Sequence, residues 1–126
     1  YYVKADLDMN YDCGSLGVRA GVKLEQLSEA MKVVKEEMLK LADTITESEL
    51  IKAKEYVLGH MPLSLEGSMD IAQFYGMRAL VLDDIRHPDQ IVKNVSAVDL
   101  ASVKKVLNEI ITEEMLRSVV VGPKAK

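Results

Sequence analysis

Apolar and polar side chains alternate along the first eleven positions. Val3, Ala5, Leu7, Met9 and Tyr11 share the phase of Tyr1, while Lys4, Asp6, Asp8 and Asn10 share that of Tyr2. A period of two is that of a strand with one covered face. "NYDCG" then supplies Asn, Asp and Gly, which tolerate the backbone angles of a turn. Leu16, Val18, Ala20 and Val22 alternate again, and Gly17 and Gly21 among them point to a bulge or a close backbone approach. The two runs predict an antiparallel hairpin.

From Leu24 the period lengthens. Leu24, Leu27, Met31, Val34, Met38 and Leu41 are spaced by three or four, as on one face of a helix. Thr46 and Glu49 have the spacing of a capping box, with Ile45 and Leu50 as its hydrophobic staple. Val95, Ser96, Asp99 and Leu100 repeat that spacing, and Ile111, Thr112 and Leu116 copy it in part, with Met115 in place of the acid. In the helix after Thr46, the inner stripe reads Leu50, Ala53, Lys54, Val57 and Met61, with Lys52 and Glu55 outward. Pro62 is expected to bend or end it near His60.

Met69, Ala72, Gly76, Ala79 and Leu80 predict a further helix, its small residues set for tight packing on a neighbour. Pro88 suits the first position of a short helix bearing Ile91, Val92 and Val95, with His87 placed to cap it. Leu100, Val103, Leu107 and Ile110 mark one more. "LRSVVVG" is expected to be a buried closing strand of the same sheet, and "PKAK" a frayed tail. The order strand, strand, helices, strand predicts an α+β two-layer sandwich, an antiparallel sheet with helices on one face.

Composition bounds this picture. A chain of 126 residues, 48% apolar, fits one core. No apolar run is long enough to cross a membrane as a helix. The net charge of −4 is spread over interleaved acids and bases, which gives no basic face for nucleic acid. Cys13 stands alone, so neither an internal disulfide framework nor a cysteine zinc cluster is expected. The single thiol and mild acidity lean toward an intracellular, cytoplasmic setting. The chain opens in mid-strand, and a strand needs partners for its backbone groups. Residues 1–126 therefore read as a single partial domain of a longer polypeptide.

Candidate chemistry is sparse. His60 and His87 each lack a second histidine at helical spacing, so no two-histidine zinc helix is present. His60 reads as a helix-end residue, and Asp83 and Asp84 as part of a polar loop. Glu49 reads as a cap rather than a catalytic acid. No nucleophile elbow, phosphate-binding loop or dinucleotide fingerprint occurs.

"ITESELIKAKEYVLGHMPLSLEGSMDIAQFYG", then "IVKNVSAVDLASVKKVL", then "SVVVGP" resembles the end of an insulinase/pitrilysin-type zinc peptidase domain, of the mitochondrial processing peptidase-like kind. "YYVKADLDMNYDCGSLGV" is similar to that family's strand after the phrase Gly-Leu-Ala-Tyr. Together these stretches cover nearly the whole chain, and their order is more specific than any one of them.

The resemblance implies a fold and a role. Such proteins repeat an α+β metallohydrolase-like domain; an N-terminal copy carries a His-x-x-Glu-His zinc site, and a later, zinc-less copy faces it across a chamber. This chain would be the C-terminal portion of that later domain, lacking its first strands. Zinc would then be bound outside the chain, and the partners would be the N-terminal zinc-binding domain or a partner subunit, in a homo- or heterodimer, with peptide as substrate. The resemblance also implies one catalytic residue, Tyr1, whose hydroxyl would help stabilise the oxyanion; Tyr2 is the alternative, because Tyr1 lies in phase with the apolar side of its strand. The family also contains members without zinc that serve as structural or partner subunits, so a non-catalytic role is the second expectation.

Overall fold

The computed structural model describes residues 2–81 and 85–122, so Tyr1, Asp83, Asp84 and the "PKAK" tail lie outside the described residues. The chain is α+β, and among the described residues it forms one two-stranded antiparallel sheet and five α-helices. It divides into two compact units.

The first unit holds the hairpin, the first helix and the chain from Lys104 onward. Strands β1 (Val3–Met9) and β2 (Gly14–Ala20) pair with Val3 opposite Ala20, Ala5 opposite Val18 and Leu7 opposite Leu16. The pairing is continuous, so the glycines mark no bulge. Instead Gly21 permits a close approach: a Cβ there would lie 3.3 Å from the Tyr2 ring, and its N–H donates to the Tyr2 carbonyl at 3.0 Å. The turn is closed by Asn10 N–H donating to the Cys13 carbonyl at 2.8 Å.

The register gathers the apolar side chains on one face, as the alternation predicts, but leaves that face open. Val3, Leu7 and Met9 are between 65% and 73% exposed. On the other face Asp6 and its cross-strand partner Gly17 are half-buried, and Asp6 is flanked by Lys4 Nζ at 3.2 Å and Arg19 Nε at 2.8 Å. Asp6 Oδ2 makes no hydrogen bond despite that separation, so the Arg19 contact is an ion pair off the N–H direction.

The expected closing strand is not formed. Residues 118–121 pair with neither strand, and Val119, Val120 and Val121 are exposed. A third strand gains little from backbone hydrogen bonds alone, because water offers the same bonds; the gain comes when its side chains complete a covered face. With the hairpin's apolar face open, that gain is absent.

A 3₁₀ turn at Leu24–Gln26 leads into α1 (Leu27–Thr44). Its covered stripe is Leu27, Ala30, Val34, Met38 and Ala42, of which Ala42 is buried and the others half-buried. Met31 and Leu41, expected on that stripe, are exposed. Lys35 reaches Glu113 at 3.4 Å, joining α1 to the turn that follows the last helix.

The second unit holds the turn residues Asn10–Cys13 and residues 45–103. Helix α2 (Glu47–Leu63) begins at a complete capping box. Glu49 N–H donates to Thr46 Oγ1 at 3.3 Å, and Thr46 N–H returns to Glu49 Oε2 at 2.9 Å. Ile45 and Leu50 form the staple, half-buried and buried respectively. Pro62 removes the N–H that the Leu58 carbonyl would use. The helix ends at Leu63, where Ser64 N–H donates to the His60 carbonyl at 3.0 Å.

Helix α3 (Ser68–Val81) departs from expectation. Its half-buried residues are Phe74, Tyr75 and Arg78, whereas Met69, Ala72, Gly76, Ala79 and Leu80 are exposed. A Cβ on Gly76 would meet nothing within 4 Å, so the small-residue stripe carries no close helix contact among the described residues. Large aromatic surface gains more from cover than alanine and glycine do.

Helix α4 (Pro88–Ala97) starts on His87, whose Nδ1 accepts from Asp89 N–H at 3.4 Å. Pro88, Ile91 and Val95 form its half-buried side, and α4 packs on α2. Helix α5 (Leu100–Ile110) turns Leu100, Val103 and Leu107 inward. The box expected at Ser96 is displaced: Ser96 lies in the last turn of α4, and Asp99 is the cap of α5, its Oδ1 accepting from Ser102 N–H at 2.7 Å.

Candidate functional site

The described residues gather polar chemistry in three places, all of them within single units. The first is the N-terminal end of the hairpin. Tyr2 is exposed, on the side of Lys4 and Asp6, with its carbonyl held by Gly21. Tyr1, the residue assigned to catalysis by the resemblance, lies outside the described residues.

The second is the junction of α2, α4 and α5. Lys54, half-buried on the inner stripe of α2, donates from Nζ to the Ser96 carbonyl at 2.9 Å. A cation at the C-terminal end of α4 meets the negative end of that helix dipole. The same ammonium helps hold the Asp99 carboxyl below its ordinary value, after the larger effects of the Ser102 backbone N–H and hydroxyl. Glu49 is likewise held low, by the Thr46 hydroxyl first, then the Thr46 backbone N–H, with Lys52 adding to it. These are structural carboxylates, each at a helix start.

Their pH signature follows from linkage. A depressed folded-state pKa means stability that is present above the unfolded value and lost as pH falls through the folded one. The loss therefore begins as pH drops toward 4.5 for Glu49 and 3.8 for Asp99, and continues below them. Glu49→Gln with Asp99→Asn keeps both caps hydrogen-bonded but removes the titration. Urea midpoints measured between neutral and acid pH should fall less steeply in that double variant than in the parent; parallel curves would refute the assignment.

The third place is a cleft of about 310 Å³ where the end of α2 meets α3. Ser64, Leu65, Asp70, Gln73, Phe74, Met77 and Arg78 line it. The Arg78 guanidinium lies over the Phe74 ring, 5.4 Å from its centroid, and Tyr75 meets Phe74 edge-on. The i,i+4 spacing of Phe74 and Arg78 was a readable cation–π signal, but the small-residue stripe of the same helix outweighed it.

The histidines serve their own helices. His60 Nδ1 lies 2.9 Å from the Tyr56 carbonyl, with its ring beside that of Tyr56. His87 caps α4 and approaches Asp89 Oδ2 at 3.3 Å. Among the described residues no group of three or more His, Cys, Asp or Glu is placed to hold a metal ion, and no helix is long and apolar enough to cross a membrane.

No family model matches the chain. Individual proteins do. Over 104 residues, 82% of the chain, it is 30% identical to the zinc protease YmxG of Bacillus subtilis, itself uncharacterized. It is 33% identical over 87 residues, 69% of the chain, to a mitochondrial-processing peptidase subunit beta of Blastocladiella emersonii. The corresponding subunit of Bos taurus is 25% identical over 112 residues, 89% of the chain. The chain belongs to the insulinase/pitrilysin-type peptidase family. It matches 25%, 19% and 23% of the length of these three relatives, so it spans a quarter or less of the curated proteins it is similar to. The insulinase/pitrilysin-type likeness extends over strands and helices of both units, well beyond the capping-box helix.

Proposed function

We propose that this chain is the C-terminal portion of a later, zinc-less domain in a zinc metallopeptidase, and that it forms the chamber wall opposite the metal site. The observation that carries this reading is the likeness to a zinc protease and to processing-peptidase beta subunits over most of the chain, within a quarter or less of their length. Zinc in such an enzyme activates water and polarises the scissile carbonyl. The described residues do not fit a zinc site, so the metal belongs to the N-terminal zinc-binding domain or to a partner subunit. This chain's share of the chemistry is to help bind an extended peptide and, through the Tyr1 hydroxyl, to donate a hydrogen bond to the oxyanion.

The open hairpin supports a two-layer sandwich completed by strands outside the described chain. Val3, Leu7 and Met9 present an uncovered apolar row, and residues 118–121 are an apolar segment without a sheet partner. An edge of unpaired N–H and C=O groups beside uncovered apolar surface invites association. The isolated chain should therefore show a sedimentation coefficient that rises with concentration, and a clean monomer throughout would count against the missing-strand account.

The direct test is cleavage of an internally quenched peptide. The full-length protein should cleave it, lose activity on chelation and regain it with zinc, while the 126-residue chain stays inactive. Cleavage by the isolated chain, or by the full-length protein indifferent to chelators, overturns the proposal.

A further inference from the structure

We propose that Gly21 is the positioning residue for the tyrosines at the start of β1, an inference that rests on the reading of Tyr1, or of Tyr2, as the oxyanion donor. Gly21 N–H donates to the Tyr2 carbonyl at 3.0 Å, one step beyond the Val3–Ala20 pair at the end of the ladder. The Tyr2 ring lies against the same residue: a Cβ on Gly21 would stand 3.3 Å from its Cε1 and 3.4 Å from its Cδ1. One residue therefore holds Tyr2 at two points, the carbonyl and the ring. Tyr1 is joined to Tyr2 by a single peptide bond, so the orientation of residue 2 sets the direction in which the chain runs on to residue 1.

Such a hold matters at this place. A donor aimed at a developing oxyanion has to be kept within about 0.5 Å of its productive position, and a chain segment near a strand end frays unless it is tied down. Tyr2 is 60% exposed, so solvent does little to confine its ring. The neighbouring glycine shows that the sheet itself does not call for glycine here. Gly17 lies within β2, and a Cβ there would meet nothing within 4 Å. Only at Gly21 does a side chain collide with the tyrosine. Contacts of 3.3–3.4 Å are closer than the optimum for two carbons, so alanine displaces the ring by a few tenths of an ångström and valine by more.

The test is steady-state cleavage of the quenched peptide by the full-length protein with zinc. Gly21→Val should lower kcat about 10-fold or more with KM changed by less than about twofold. Gly21→Ala should fall between it and the parent, and it keeps the effect measurable where the valine variant loses its fold. Gly17→Ala should match the parent. Peptide binding in excess chelator, read by fluorescence polarisation, should be the same in parent and Gly21→Ala. In the background of Tyr1→Phe, or of Tyr2→Phe if that variant is the one that lowers kcat, Gly21→Ala should cost nothing further, because the group it positions is already lost. A contact that only braces the fold would give the same factor in both backgrounds. A fall in kcat for neither tyrosine variant, or a full-length protein without zinc-dependent cleavage, fails the peptidase reading and this inference with it. A fall for one tyrosine variant together with parent rates in Gly21→Ala and Gly21→Val, equal factors in both backgrounds, or an equal loss in Gly17→Ala overturns this inference alone.

Discussion

Tyr1→Phe in the full-length protein lowers kcat on a quenched peptide by about 100-fold or more, with KM changed little. In the role proposed for Tyr1 the hydroxyl is needed only when negative charge develops on the carbonyl oxygen, so its loss should weaken the transition state and not the bound substrate. The aromatic ring is retained, which separates hydrogen bonding from packing. Tyr2→Phe is the paired control. Tyr2 contributes its backbone carbonyl to the hairpin, through Gly21, and Phe leaves that bond intact. A fall in kcat for Tyr2→Phe and none for Tyr1→Phe moves the role by one residue. No fall in either removes tyrosine from the mechanism.

Leu50→Ala destabilises the second unit by about 2–3 kcal/mol, whereas Val57→Ala on the same helix costs no more than about 0.5 kcal/mol. Leu50 is 6% exposed and Val57 45%. Truncating Leu50 loses buried methyl groups and opens a space that the staple partner Ile45 fills incompletely. Val57 is already in contact with water. Urea unfolding of the 126-residue chain, followed by helical circular dichroism, reads both. Equal losses would place Val57 on the covered stripe, as the bare periodicity has it, and would contradict the packing seen here. A Leu50→Ala loss below that of Val57→Ala would do the same.

The contrast between these two residues shows where periodicity stops. Spacing by three and four admits two adjacent readings of a helix face, 50, 53, 57 or 50, 54, 58. Lys54 and Leu58 are the covered pair, because Lys54 carries its ammonium to the Ser96 carbonyl and buries its stem on the way. That acceptor is supplied from 42 residues downstream, so no local pattern contains it. The Ser96–Asp99 spacing misleads for a related reason. It matches a capping box, but α4 runs on to Ala97 and Asp99 becomes the cap itself.

The candidate sites divide in the same way. The absence of a two-histidine motif was legible, and so was the helix-end role of His60 and the capping role of His87, since caps are made by neighbours in sequence. The Arg78 cleft was not, because its walls come from two elements. Nor was the exposure of the hairpin's apolar row. Alternation reports which side chains share a face, and it is silent on whether anything covers that face.

Local order in this protein is thus written in the chain: the hairpin and its register, the Thr46–Glu49 start of α2, the stop near Pro62, the start at Pro88. Each depends on hydrogen bonds or steric limits acting over about four residues, so the information sits beside its effect. Packing settled the rest, namely which stripe of α2 and α3 is covered, that Arg78 rests on Phe74, and that residues 118–121 join no sheet. Those outcomes depend on apolar area removed from water between distant segments, a quantity that exists only once the segments meet.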